Sequence, residues 1–194
     1  MDIVGSVVCL VMLGVPMLFV AMAIRLGSSG PAIFRHRRAG RHGKCFTMLK
    51  FRTMRADADP YGVSPHGSGD PRLTRFGRFL RERSLDELPQ LFNVLAGQMS
   101  FIGPRPLYER QAELWDGCQR RRLDVRPGIT GYAQVYGRAG LTHEEKIELD
   151  LYYVDNRSPW LDLKIIFRTL AGMLGRRGDV YEHRYSRDKE RETD

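Results

Sequence analysis

The hydrophobic pattern divides the chain near its start. Residues Ile3 to Ile24 form an uncharged run of 22 residues, about 33 Å as a straight helix and long enough for the ~30 Å apolar core of a bilayer. Gly14 and Pro16 fall near its middle, and a proline there removes one backbone hydrogen bond. Two membrane readings stand: a spanning helix, and a re-entrant helix that dips into one leaflet and turns back at Pro16, since membrane helices tolerate proline. A cleaved signal peptide fits less well. Ala21-Met22-Ala23 resembles a cleavage site, but Met1-Asp2 supplies no basic leader. Arg25, Arg35, Arg37, Arg38 and Arg41 follow the run and favour a cytoplasmic location for the rest of the chain. Gly27-Ser28-Ser29-Gly30-Pro31 ends the segment.

Beyond it, two apolar-rich runs around a glycine-containing turn, from Ala32 to Met54, predict a β-hairpin. Its second strand sets Lys50 and Arg52 on one face and Leu49, Phe51 and Thr53 on the other. Asp57 to Pro71 reads as a loop rich in Gly, Pro, Ser and Asp. Thr74 is placed to cap a short helix through Arg83, and a further helix is expected from Ser84–Asp86 through Leu95. Gly103-Pro104-Arg105-Pro106 is a stiff loop. Leu107 to Leu123 reads as one helix, broken by Arg126-Pro127-Gly128, and Ile129 to Tyr136 is ambiguous between extended and loop. Thr142-x-x-Glu145 is a capping box for a helix to about Val154. Ser158-Pro159 starts an amphipathic last helix, suited to a membrane interface or to packing on a core. The expected class is α+β, mainly α: a membrane helix (1–26), a cytosol-facing domain (27–180) and a charged, disordered tail (181–194).

Composition narrows the function. The 194 residues carry a net charge of +8, and arginine accounts for 26 of the 31 basic residues. An arginine excess points to polyanions and favours bidentate phosphate contacts. Three widely spaced cysteines, Cys9, Cys45 and Cys118, give neither a disulfide framework nor zinc spacing. The five histidines lack metal-ligand spacing, and no Walker loop, dinucleotide fingerprint or nucleophile elbow is present.

The sharpest local feature is Arg81-x-Arg83-Ser84-Leu85-Asp86-Glu87-Leu88-Pro89. Pro89 prefers the first turn of a helix, which puts Asp86 near a helix N-terminus, where anions are favoured. An ionised carboxylate can attack phosphorus, and a Mg²⁺ held by a carboxylate and phosphate oxygens would relieve the repulsion between anions. The plainer alternative is that Ser84-x-x-Glu87 is only a capping box. Lys50, Arg52, Arg81 and Arg105, the last held between two prolines, could clamp a diphosphate around the acidic pair.

These residues resemble the bacterial sugar transferase family, the monotopic phosphoglycosyl transferases. The matching segments run in family order: Asp2-Ile3-Val4-Gly5-Ser6, Gly30-Pro31-Ala32-Ile33-Phe34-Arg35, Lys50-Phe51-Arg52-Thr53-Met54, Leu85 to Val94, Met99 to Pro106, Arg126 to Gly131, Ala133-Gln134-Val135 and Tyr153-Val154. The resemblance implies a UDP-sugar donor, a polyprenyl (undecaprenyl) phosphate acceptor and Mg²⁺. It makes Asp86 the nucleophile, Glu87 its metal-binding or orienting partner, and Lys50, Arg81 and Arg105 phosphate-site residues. It also makes Pro16 the kink of a re-entrant helix, with both termini at the cytoplasmic face of the bacterial inner membrane. Val15 stands where the family usually has serine, and Tyr136 where it often has asparagine. Without a multi-span extension, the expected type is the small, catalytic-domain-only one. Homodimerisation through the amphipathic helices stays open. A membrane protein that binds lipid or nucleotide phosphates without turnover is the competing reading. Nucleic-acid binding rests on charge alone and lacks a recognised module.

Overall fold

The uncharged run forms a single helix, α1 (Asp2–Gly27), which continues past Pro16. The computed structural model describes residues 2–59, 65, 67, 69–113, 115–137 and 141–175, so the expected tail of 181–194 and part of the 57–71 loop lie outside the described residues. By length and composition α1 could cross a membrane. Because α1 is apolar all round, both of its stripes need an apolar environment. One stripe finds it in the protein. Ser6, Met17 and Ile24 are buried, and Leu10, Leu13, Val20 and Ala21 are partly buried. The opposite stripe, from Ile3 through Val11, Val15 and Phe19 to Leu26, is exposed.

Both ends of α1 touch the same globular body. Near its start, Ser100 Oγ donates to Asp2 Oδ1 at 3.1 Å, and Gly5 lies so close to Phe101 that a Cβ would sit 2.9 Å from the ring. Near its end, Ile24 joins a core cluster with Ala32, Phe51 and Leu80.

The expected hairpin is present. Strands β1 (Ile33–Ala39) and β2 (Cys45–Phe51) pair antiparallel, with Phe34 opposite Lys50, around a 3-10 turn at Arg41–Gly43. Helix α2 (Arg75–Glu82) starts where expected, with Thr74 Oγ1 accepting from the Gly77 amide at 2.9 Å. Gly77 is required there for space: a Cβ would come within 2.0 Å of the Thr53 carbonyl oxygen. Helix α2 therefore lies directly on the chain leaving β2.

Three expectations need correction. The helix expected from Ser84 to Leu95 is a 3-10 turn, Leu85–Glu87, followed by α3 (Gln90–Leu95). Ser84 has φ 55° and makes no capping bond, so the Ser84/Glu87 capping box does not form. The helix expected over 107–123 is split into α4 (Glu109–Glu113), α5 (Gly117–Arg120) and a 3-10 turn at Arg121–Asp124. Asp116 and Gln119 close a capping box that starts a new helix, and Trp115 is buried just before it. The ambiguous stretch resolves into strand and helix: β3 (Ser100–Ile102) pairs parallel with β4 (Gly128–Thr130), and α6 (Tyr132–Tyr136) follows. Three glycines let these backbones meet. A Cβ on Gly103 would lie 2.3 Å from the Arg126 carbonyl oxygen, and Cβ atoms on Gly128 and Gly131 would lie 2.1 Å from Gly103 backbone atoms.

The last two helices follow the sequence signals. Thr142 and Glu145 close the capping box of α7 (His143–Asn156), and Ser158 Oγ accepts from the Leu161 amide at the start of α8 (Pro159–Gly175). Helix α8 packs one face on the core and leaves apolar residues bare on the other. Ile165 is fully buried, while Trp160, Leu163, Phe167 and Leu170 are exposed.

Asn93 on α3 ties the fold together. It is buried; its Oδ1 accepts from the Leu49 amide at 3.0 Å, and its Nδ2 donates to Thr47 O at 2.8 Å and to Gln98 Oε1 at 2.7 Å. It thus serves the edge of β2 turned away from β1. Asn93→Ala would leave those groups unpaired and is expected to cost about 3 kcal/mol, or roughly 6–12 °C in Tm. Thermal unfolding in detergent checks this; an unchanged Tm would remove Asn93 from that role.

Candidate active site

Three separate segments converge on Glu87. Lys50 comes from the last turn of the β2 ladder, Glu87 from the 3-10 turn, and Arg105 from the Gly103–Pro106 loop after β3. Lys50 Nζ donates to Glu87 Oε1 at 2.7 Å, and Arg105 Nη2 donates to the same oxygen at 2.8 Å. Glu87 is therefore a structural anion rather than a helix cap. Burial pushes its carboxyl up, but Arg105 and Lys50 outweigh that and hold it well below the usual carboxylate range. Burial lowers the Lys50 ammonium, with Glu87 pulling the other way.

Asp86 lies next to this cluster and is 7% exposed. It accepts no hydrogen bond from the described residues, nor does Glu87 Oε2. Burial raises the Asp86 carboxyl above its ordinary value. The nearby Lys50 opposes that rise, Glu87 adds to it, and Arg81 and Arg105 oppose it. The left-handed Ser84 and the amide-free Pro89 on either side prevent a regular helix, and the resulting tight turn brings the Glu87 carboxylate to Lys50 and Arg105.

The structure thus brings together five of the expected residues: Asp86, Glu87, Lys50, Arg81 and Arg105. Arg81, in the last turn of α2, also acts on Asp70. Arg52 is the exception. It is buried, but its guanidinium is directed into the loop after α1, where it donates to the Ser29 carbonyl, to Ser28 O at 3.0 Å and to Ser28 Oγ at 2.8 Å. Period-two alternation put Lys50 and Arg52 on one face, but β2 ends at Phe51 and the chain turns under α1. Pro16 sits within α1.

The oxygen donors of Asp86 and Glu87 suit a hard cation that takes one or two carboxylates and completes its shell with phosphate and water, as Mg²⁺ does. No cluster of three or more His, Cys, Asp or Glu side chains able to hold a metal by themselves exists among the described residues.

Sequence reading missed a brace behind the site. Arg122 and Asp150 form an ion pair, each side chain 3% exposed, and Arg122 Nη2 also donates to the Arg105 carbonyl at 3.0 Å. Trp115 lies 4.8 Å from the Arg122 guanidinium. The brace holds the loop that carries Arg105 to Glu87. Its signal was an aspartate on the buried stripe of α7, between Ile147 and Tyr153; Arg122 itself was lost in the run Arg120-Arg121-Arg122. Arg122→Met strands a buried carboxylate and is expected to cost about 3–5 kcal/mol. Adding Asp150→Leu should recover most of it, as denaturation of both variants would reveal. A double variant no more stable than the single one would contradict this account.

The bacterial sugar transferase family model matches residues 1–176. The chain is 45% identical over 174 residues to the uncharacterized sugar transferase EpsL of Bacillus subtilis, covering 89% of this chain and 85% of that protein. It is 41% identical over 182 residues to the UDP-glucose:undecaprenyl-phosphate glucose-1-phosphate transferase of Caulobacter vibrioides, covering 90% and 68%. Against the galactosyl transferase CpsE of Streptococcus agalactiae the identity is 40% over 186 residues, 90% of this chain but only 41% of that protein. The match extends from α1 through the acidic pair to α8, and the chain belongs to the bacterial sugar transferase family.

Proposed function

We propose that this protein transfers a sugar-1-phosphate from a UDP-sugar to undecaprenyl phosphate at the cytoplasmic face of the membrane, through Asp86. The names of its relatives support the donor and acceptor classes. The observation that carries the assignment is the division of labour within the acidic pair. Glu87 is held by Lys50 and Arg105, while Asp86 accepts no hydrogen bond from the described residues and lies within reach of the charges of Lys50, Arg81 and Arg105.

The chemistry takes two displacements. An Asp86 carboxylate oxygen attacks the sugar-bearing β-phosphorus of the donor; the bond from that phosphorus to the bridging oxygen breaks, and UMP leaves with the electron pair. An oxygen of the lipid phosphate then attacks the same phosphorus, the bond to Asp86 breaks, and the carboxylate is restored as the lipid diphosphate sugar departs. Lys50, Arg81 and Arg105 stabilise the phosphoryl oxygens during both steps. Partial burial of Asp86 strips water from the nucleophile and keeps it from competing. Asp86 and Glu87 would hold Mg²⁺, which would supply positive charge against the repulsion between the carboxylates and the donor phosphates.

The same reading makes α1 re-entrant, entering and leaving on one side. The contacts of Asp2 with Ser100 and of Ile24 with Phe51 and Leu80 support this, because a helix that crosses a bilayer cannot keep both ends on one cytosolic body. With the exposed stripes of α1 and α8 in the lipid, the acidic pair works near the height of the acceptor's phosphate.

Asp86→Asn should abolish UMP release from UDP-sugars in the presence of Mg²⁺ and undecaprenyl phosphate, while donor affinity stays within about threefold. Wild-type rates in that variant would end the covalent reading; donor binding without turnover in the wild type would favour the binding-module alternative. The pH profile is a second check. The reaction needs ionised Asp86, whose carboxyl burial raises, so kcat/KM should fall on the acid side at a higher pH than the ~3.9 of an ordinary aspartate. Lys50→Met removes a charge that opposes the rise and should move that limb higher still.

A further inference from the structure

A groove of about 410 Å³ lies outside the acidic pair, where the start of α1, the β3 strand and the junction of α7 with α8 meet. Three arginines line it: Arg41, Arg126 and Arg157. None belongs to the phosphate clamp described above. Arg41 is steadied by its Nε bond to the Asp124 carbonyl at 3.0 Å. Arg126 and Arg157 make no hydrogen bond or ion pair with the described residues. The backbone behind Arg126 is rigid: its carbonyl abuts Gly103, and Pro127 O accepts from the Ser100 amide at 2.8 Å.

Two aspartates share the lining, and both have donors. Asp2 accepts from Ser100 Oγ, and Asp162 accepts from Tyr153 Oη at 2.8 Å. The groove keeps a net positive charge. Its setting is apolar on the outside. Ile3 and Val4 follow Asp2 and are 59% and 71% exposed, and Trp160 follows Pro159 and is 64% exposed. The bare stripes of the two lipid-facing helices therefore begin at the rim of a basic concavity. Tryptophan and arginine in this order mark the level of lipid headgroups.

We infer that this groove holds a phosphate group supplied by an anionic lipid headgroup, at a site separate from the one that carries Asp86. The inference rests on the membrane placement of α1 and α8 given above. Solvated arginines are the common alternative. Here, however, three of them converge on a cavity large enough for a headgroup, against an apolar rim that a free nucleotide would not need. An occupied groove would pin the N-terminal ends of both lipid-facing helices at headgroup height and set the depth of the whole molecule.

Native mass spectrometry of the full chain in detergent, with phosphatidylglycerol or phosphatidylcholine added, tests this. The wild type should retain phosphatidylglycerol preferentially. Arg126→Ala/Arg157→Ala should lose about tenfold of that preference, with UMP release in detergent unchanged. Arg37→Ala/Arg55→Ala, which removes two exposed arginines elsewhere, should keep it. Inorganic phosphate is the second probe, with ionic strength matched by chloride. Displacement of the lipid would show that the site also takes a free phosphate; retention would identify the lipid as the source. Equal losses in the two double variants would overturn the groove. A wild type that retains neither lipid would overturn the membrane placement as well.

Discussion

The carboxylate of Glu87 is the joint on which the site depends. It binds a cation from the hairpin and a cation from the loop after β3 through one oxygen, and so fixes the distance between two parts of the chain that share no strand ladder. Each partner is itself held from behind. Lys50 is carried by a strand whose outer edge is secured by Asn93. Arg105 is carried by a loop that Arg122 grips by its carbonyl and that three glycines allow to pack against β4. A buried anion with two cations is costly to desolvate, and such clusters are weak sources of net stability. Its value here is positional: it leaves the neighbouring Asp86 without hydrogen-bond donors of its own, in a positive field.

Much of this was legible in the sequence where the signal was local. Thr74, the Thr142/Glu145 box and Ser158-Pro159 each mark a helix start by chemistry confined to four residues, and each helix begins there. The hairpin could be read because its two runs flank a short turn. The acidic pair was visible as two carboxylates before a proline, with cations within reach along the chain. What could not be read was non-local. Strands β3 and β4 are three residues each and pair across an intervening pair of short helices, so neither has a period to detect. The pairing of Arg122 with Asp150 joins residues that look like ordinary surface charges in one dimension. Arg52 was misplaced because alternation was extended one residue past the end of its strand.

The left-handed Ser84 shows how a local rule can mislead at the candidate site. A serine three residues before a glutamate is a good helix start. The chain instead tightens into a 3-10 turn, in which Glu87 pairs with two cations. The result is a sharp bend that presents adjacent carboxylates to different surroundings: one tied down, one left available.

The hairpin has a further consequence. A two-stranded ribbon has two open edges. Such edges would invite strand-to-strand pairing between molecules. Here the outer edge of β2 is occupied by the side-chain amide of Asn93, and the end of β1 by the backbone of Leu107, whose carbonyl accepts from the Ala39 amide at 3.1 Å. The outer edge of the strand that carries Lys50 and the last residue of β1 are thus covered by the protein's own chain, which takes part of the ribbon's edge out of strand-to-strand pairing.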